Sequence, residues 1–335
     1  MTRNDFRRLL ADGSIPPVLL FEGTDEYLKR EAWQSLRAAV LPAGMEELNE
    51  AVLDAPETDE LIAAAETLPF MADRRLVLVR DMAGLSGRGE GDDRLADYLK
   101  NASPTSVIVF YCAGKPDGRK KLYTVIKKLN GIVTFDPMTD RELTAFVSDA
   151  FSDLGRECDE RTAGYLIFTC GTDADLLMGE ITKIASHGQA GVPVHPDEIT
   201  ALATRSTECT VFQMVDAVVA GKSSRALSLL RNLLLNGADR VFILAMLLRQ
   251  FRILRHIRTM QYEKKSNSYI RGALSLPSFA ADQYFRQAAS FTAVQIRDAV
   301  NVCFETEYGI KSGRLNADGA VEGAMLKLLT LRKKD

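Results

Sequence analysis

The chain has 335 residues, 46% of them hydrophobic and 26% charged, enough for two or three domains with ordinary cores and no need of disulfide staples. Five scattered cysteines without a C-x-x-C pair exclude a disulfide framework and suggest reduced thiols in a cytoplasmic protein; no apolar run is long enough to span a membrane, and the polar N-terminus lacks the apolar core of a signal peptide. The net charge of −3 hides an asymmetry: residues 141–208 carry 12 Asp/Glu against 5 Lys/Arg, whereas residues 222–271 carry 11 Lys/Arg against 2 Asp/Glu, a division that favours a multi-part machine over a compact small-molecule enzyme.

In chain order, "PVLLF" (17–21) reads as a buried strand. Residues 24–41 read as a helix that Thr24 can cap, with Asp25 and Glu26 suited to its positive end and Leu28, Ala32, Leu36 and Val40 on one face. Helices are predicted over 59–68, 92–100 and 119–129, and strands over 75–80, 106–112 and 131–136. The middle of "RLVLVR" (75–80) is continuously apolar, as a sheet buried on both faces requires. This alternation predicts a doubly wound parallel α/β layer. After Pro137 the β signal fades. Residues 139–155 form a helix with Thr139 or Asp140 as its cap and Gly155 at its end, and 159–170, 172–186 and 196–204 continue as short helices. From Thr210 the helices lengthen: 211–221, 223–237, 239–261, 292–313 and 318–332, with Gly221 and Gly237 as stops. Residues 262–290, which include Pro277, show no clear period.

The strand–glycine–helix start invites comparison with a phosphate-binding loop, G-x-x-x-x-G-K-[ST]. Aligned on Gly23, the second glycine slot holds Leu28, the lysine slot Lys29 and the hydroxyl slot Arg30, so the lysine alone survives. Asp25 and Glu26 stand where phosphate would sit, and carboxylates there satisfy the helix N–H groups and repel an anion. Asp81, after the 75–80 strand, reads as a loop former or a broken remnant of a Mg²⁺-binding acid. The domain is therefore expected to keep a nucleotide-binding shape without hydrolysing nucleotide. His187 and His195 have no acid or Cys at metal spacing, His256 lies in a basic helix, and no nucleophile–base or paired-carboxylate signature stands out, so no catalytic residue, metal or cofactor is expected.

"LLFEGTDEYLKREA" (19–32), "ETLPFMADRRLVLVRD" (66–81), "GKPDGRKKLYTVIKKLNG" (114–131), "CGTDADLLMGEITKIA" (170–185), "VFQMVDAVVAGKSSRALSLLRNLLLNG" (211–237) and "EYGIKSGRLNADGAVEGAMLKLL" (307–329), taken in this order, resemble the delta subunits of the bacterial DNA polymerase III clamp loader. Gly179 departs from the pattern, since a polar helical residue is more usual there. The resemblance implies an AAA+-like α/β domain without a P-loop (1–138), a small helical lid domain (139–208) and a C-terminal helical collar domain (209–335). It implies binding and opening of the sliding clamp, the beta subunit, for loading on primed DNA. It implies assembly through the collar with ATP-binding gamma/tau subunits and delta-prime. The chain would then be a subunit of a DNA-directed DNA polymerase, a nucleotidyltransferase, without a catalytic site of its own.

In that light "TLPFMADRR" reads as a hook at a surface corner. Leu68, Phe70 and Met71 are large and apolar, and Pro69 fixes its own φ and biases Leu68 toward an extended form. The resemblance makes Leu68, Pro69, Phe70 and Met71 the clamp-binding residues; the alternative is that Leu68 and Phe70 pack under the sheet. Lys115, Arg119, Lys120, Lys121, Lys127 and Lys128 form a basic helix that is either a DNA contact or a solvated face. Arg249, Arg252, Arg255 and Arg258 recur at i+3, interleaved with Phe251, Leu254 and Ile257, which favours a solvated or salt-bridged face. Two other readings stay open: an ATPase with an atypical nucleotide loop, and a stand-alone nonspecific DNA-binding protein.

Overall fold

The computed structural model describes residues 1–85, 92–277 and 280–331, so Arg332, the predicted end of the last helix, lies outside the described residues. The chain divides into two compact units, Met1–Met138 and Thr139–Asp335.

The first unit is built on five strands: β1 (Val18–Glu22), β2 (Glu50–Asp54), β3 (Arg75–Arg80), β4 (Ser106–Tyr111) and β5 (Ile132–Thr134). They pair in parallel in the order β2-β3-β4-β1-β5. The helices of this unit are α1 (Arg3–Ala11), α2 (Glu26–Val40), α3 (Glu46–Asn49), α4 (Thr58–Glu66), α5 (Asp93–Tyr98) and α6 (Lys121–Lys128). Successive strand residues point to opposite faces. Leu19, Phe21, Leu76, Leu78, Val107 and Val109 therefore pack with Phe6 of α1 and Leu28, Trp33 and Leu36 of α2. Val18, Leu20, Val77, Val79, Ile108 and Phe110 pack on the other face with Leu61 of α4, Leu95 of α5 and Ile126 of α6. Burial on both faces is why these strands read as unbroken apolar runs. The expected doubly wound parallel sheet is present.

Four elements of this unit depart from the sequence reading, the short helix α3 among them. Helix α1 has a capping box in which Thr2 accepts from the Asp5 N–H and Asp5 accepts from the Thr2 N–H. Strand β2 was not expected; it is an edge strand, and none of its residues is fully buried. Asp25, and not Thr24, caps α2 by accepting from the Leu28 N–H at 2.9 Å.

The second unit is helical: α7 (Asp140–Asp153), α8 (Glu160–Cys170), α9 (Ala174–His187), α10 (Pro196–Leu202), α11 (Thr207–Val219), α12 (Ser223–Leu235), α13 (Arg240–Tyr262), α14 (Asn267–Ala273), α15 (Ala281–Ala289), α16 (Ala293–Lys311) and α17 (Ala317–Leu331). Thr139 and Glu142 form the capping box of α7. Helices α14 and α15 occupy the stretch that lacked a clear period, and α17 starts with a kink where Gly319 has φ +83°. Phe212, Leu230, Leu247, Phe251, Leu254, Ala299 and Met325 share one core. A polar seam crosses it: Gln250 donates to Gln287 at 2.7 Å, and Gln287 and Gln283 both donate to Asp216. Burial holds the Asp216 carboxyl above the usual carboxylate range, against the pull of the two glutamines. All five cysteines are buried and free. No helix among the described residues is long and apolar enough to cross a membrane.

Candidate functional site

Residues 67–74 join α4 to β3 and so lie at the N-terminal edge of the parallel sheet. The apolar side chains here face solvent: Leu68 is 77% exposed, Phe70 54% and Met71 75%. The alternative that Leu68 and Phe70 pack under the sheet does not hold. Three contacts fix the backbone that carries them. Thr67 ends α4 and its hydroxyl donates to the Ala63 carbonyl at 2.8 Å. The Arg75 guanidinium reaches the Thr67 carbonyl at 3.5 Å. The Asn49 side chain, fully buried at the end of α3, accepts from the Phe70 N–H at 2.7 Å and donates to the Phe70 carbonyl at 2.9 Å. Met71 follows with φ +49°, a left-handed conformation that non-glycine residues hold only when their surroundings over-determine it. Asn49 escaped the sequence reading, because no periodicity links an Asn at the end of "EELN" to a residue 21 positions on.

The crevice that would hold a nucleotide lies at the opposite edge, beyond the carboxyl ends of β1 and β4. There three of the backbone N–H groups around the loop already have partners within the chain. Gly23 N–H donates to the Gly114 carbonyl at 3.1 Å, Asp25 N–H to the Phe135 carbonyl at 3.1 Å and Leu28 N–H to the Asp25 carboxylate at 2.9 Å. Gly23 has φ +115°, and a Cβ there would come within 2.2 Å of the Phe135 carbonyl oxygen, so the loop is pressed against the start of the next segment. Lys29 is fully buried. Its ammonium donates to Glu26 at 2.5 Å and to the Cys112 carbonyl at 2.7 Å, and lies 4.9 Å from the centre of the Tyr111 ring. The lysine that matched the phosphate-binding pattern is thus turned inward and held by partners within the chain.

The basic set does not form one helix. Lys115 and Arg119 precede α6, Lys120 stands at its N-cap, and only Lys121, Lys127 and Lys128 lie within it. Lys115 pairs with Asp136 at 2.9 Å, Arg119 with Asp117 at 2.8 Å and Lys121 with Asp93 at 2.9 Å. These bonds hold the Asp117 carboxyl down at about 2 and lift the Lys115 and Lys121 ammonium groups above the usual range. Lys127 and Lys128 are exposed in the last turn of α6. In the arginine stripe, Phe251, Leu254 and Ile257 are buried and Arg249 pairs with Glu208. His195 caps α10, and no cluster among the described residues could hold a metal ion.

Two family models match the chain, together covering well over half of it: DNA polymerase III, delta subunit, over residues 19–135, and DNA polymerase III delta subunit, C-terminal domain, over residues 208–328. Among curated proteins, the DNA polymerase III subunit delta of Bacillus subtilis (strain 168) is 24% identical over 340 residues, 99% of this chain and 98% of that protein. Among solved structures, the Bacillus subtilis DNA clamp loader delta protein shares the fold with a TM-score of 0.57 and 24% identity, over 98% of this chain and 99% of the other. The first model spans the sheet and the exposed 67–74 segment, the second spans the helices from α11 into α17, and the chain accordingly belongs to the family of DNA polymerase III delta subunits of the clamp loader.

Proposed function

We propose that this chain grips the sliding clamp through Leu68, Pro69, Phe70 and Met71, opens its ring for loading on primed DNA, and does so without binding or hydrolysing ATP. The observation that carries this reading is three large apolar side chains held out into solvent on a fixed backbone. Exposed anchors of this kind gain their free energy only when a partner's pocket covers them. Opening needs no catalytic group. It needs a surface that binds the distorted ring interface better than the closed one, since a ligand without that difference shifts nothing.

ATP would then act on neighbouring gamma/tau subunits, which with delta-prime would join this chain through residues 209–335 as a collar, with residues 139–208 as the lid. The work would take place in the cytoplasm. The partnered N–H groups of Gly23, Asp25 and Leu28 and the buried Lys29 ammonium speak against the rival reading of an atypical ATPase. The test is release of the clamp from nicked circular DNA by the purified chain alone. Release is expected without nucleotide, and titration of ATP with Mg²⁺ should give no saturable binding. A requirement for ATP, lost on Lys29→Ala, would favour the rival.

Direct contact with DNA is a further part of the proposal. With Lys115, Arg119 and Lys121 each beside a carboxylate, Lys127 and Lys128 are the side chains of this set best placed to neutralise phosphates. In the assembled loader, Lys127→Ala/Lys128→Ala is expected to weaken DNA binding whatever its sequence and to lower the salt slope by about 1 per lost contact. An unchanged slope assigns this face to solvent.

A further inference from the structure

We propose that Asn49 is the positioning residue of the clamp-binding hook, holding Leu68, Phe70 and Met71 in their binding geometry before the clamp arrives. This rests on reading residues 67–74 as the hook. Three exposed apolar side chains on a short connection would ordinarily fold back to cover one another. The Asn49 amide prevents this by engaging both polar groups of Phe70. Its oxygen accepts from the Phe70 N–H at 2.7 Å, while its nitrogen donates to the Phe70 carbonyl at 2.9 Å and to the Met45 carbonyl at 3.1 Å. The amide makes three bonds at zero exposure, so water does not compete for them. Phe70 is tied in this way to α3 and the edge of the sheet, and the left-handed turn at Met71 follows directly from the fixed residue. Arg75, which reaches the Thr67 carbonyl, secures the other end. Asn49 need touch no clamp atom. It removes the cost of ordering the segment at the moment of binding.

The test compares purified clamp binding to the full chain carrying Asn49→Ala, Asn49→Asp or Leu68→Ala/Phe70→Ala. Freeing about two residues of backbone corresponds to roughly tenfold or more in affinity, so Asn49→Ala should bind at least about tenfold more weakly with all hook side chains present. Asn49→Asp should match it near pH 8, where an ionised carboxylate cannot donate to the Phe70 carbonyl. It should regain affinity as pH falls, because a protonated carboxyl can both accept from and donate to Phe70. Each pH point is taken relative to wild type, which removes the titration of Glu46, Glu47 and Glu50 beside position 49 and any change in the clamp; Arg75 keeps its charge throughout. Loss in Asn49→Ala, recovery of Asn49→Asp in acid, and no further loss when Asn49→Ala is added to Leu68→Ala/Phe70→Ala support the proposal. Near-wild-type binding by Asn49→Ala, no recovery of Asn49→Asp in acid, or an additive loss in the combined variant overturns it while leaving the hook in place. If Leu68→Ala/Phe70→Ala itself binds normally, the hook reading fails and the proposal with it. A melting curve for each variant confirms that the first unit is folded, and the acid recovery separates positioning from misfolding should Asn49→Ala melt early.

Discussion

Replacing Leu68 and Phe70 together with alanine is expected to weaken clamp binding by about a hundredfold or more while leaving the chain as stable as before. The magnitude follows from transfer of apolar surface. Fully covering a Leu or Phe side chain is worth about 1.5–3 kcal/mol, and truncation to Ala gives up most of that at each site, where about 1.4 kcal/mol is tenfold in affinity. The unchanged stability follows from exposure: both side chains already face water in the free chain, so truncation leaves no cavity. Surface plasmon resonance with immobilised clamp, together with a thermal melt of each variant, reads both quantities. The loss should fall in the dissociation rate, because the anchors act after encounter. Met71→Ala should cost less. Met is flexible, so part of what the contact gains is offset by the side-chain freedom it loses on binding. A double variant that binds within a few-fold of wild type would remove the hook from the clamp interface.

What could be read in the sequence divides along lines of burial. Strands β1, β3 and β4 are covered on both faces, so their apolar runs mark them, whereas β2 lies at the sheet edge with Glu50 and Asp54 at its ends and mixes polar and apolar residues as any loop would. Helix α1 buries only Phe6, too little to give a period. Helices α14 and α15 are short and separated by a segment containing Pro277, which breaks the pattern in a window long enough to show helical repeat. Legible too was the exposed corner at 67–74, where Pro69 lies between a helix and a strand among large apolar residues. The way it is held out was not, because Asn49 meets Phe70 only after α3 and α4 have folded against the sheet. Lys29 shows the converse. Its place in the pattern was readable, but its inward turn to the Cys112 carbonyl depends on the parallel pairing of β1 with β4.

Arg156→Met is expected to destabilise the helical unit by about 3 kcal/mol or more, the low end of the range for breaking a buried ion pair from one side. The side chain is almost completely buried and spends its donors on four groups. Two bonds run to Glu198, both 2.9 Å; the others reach the carbonyls of Val192 at 2.9 Å, Ile184 at 3.1 Å and Pro193 at 3.2 Å. One guanidinium thereby joins the end of α9, the 189–194 loop and the first turn of α10. Methionine fills the space but donates nothing, leaving a carboxylate and three carbonyls short of a partner. Glu198 keeps some contact with water and the His195 N–H, which holds the cost toward the low end. For a unit of this length each kcal/mol moves the melting point by about 2–4 °C, so a fall of roughly 6–12 °C is expected by calorimetry. Arg156→Lys should fall between, since a lysine keeps the charge but cannot match the fork. Gly188→Ala should strike the same site from the other side, because a Cβ there would come within 1.9 Å of the guanidinium. The pH dependence separates the ion pair from simple packing. The hydrogen bonds from Arg156, with that from the His195 N–H, hold the Glu198 carboxyl below its ordinary value of 4.5 despite some burial. A carboxyl depressed in the folded state contributes stability that is present above the unfolded value and is lost as pH falls through the folded one. The gap in melting point between wild type and Arg156→Met should therefore be widest above about pH 5 and narrow in stronger acid. A gap that stays constant down to pH 3 would show that Arg156 stabilises the unit through its carbonyl contacts and packing and not through Glu198.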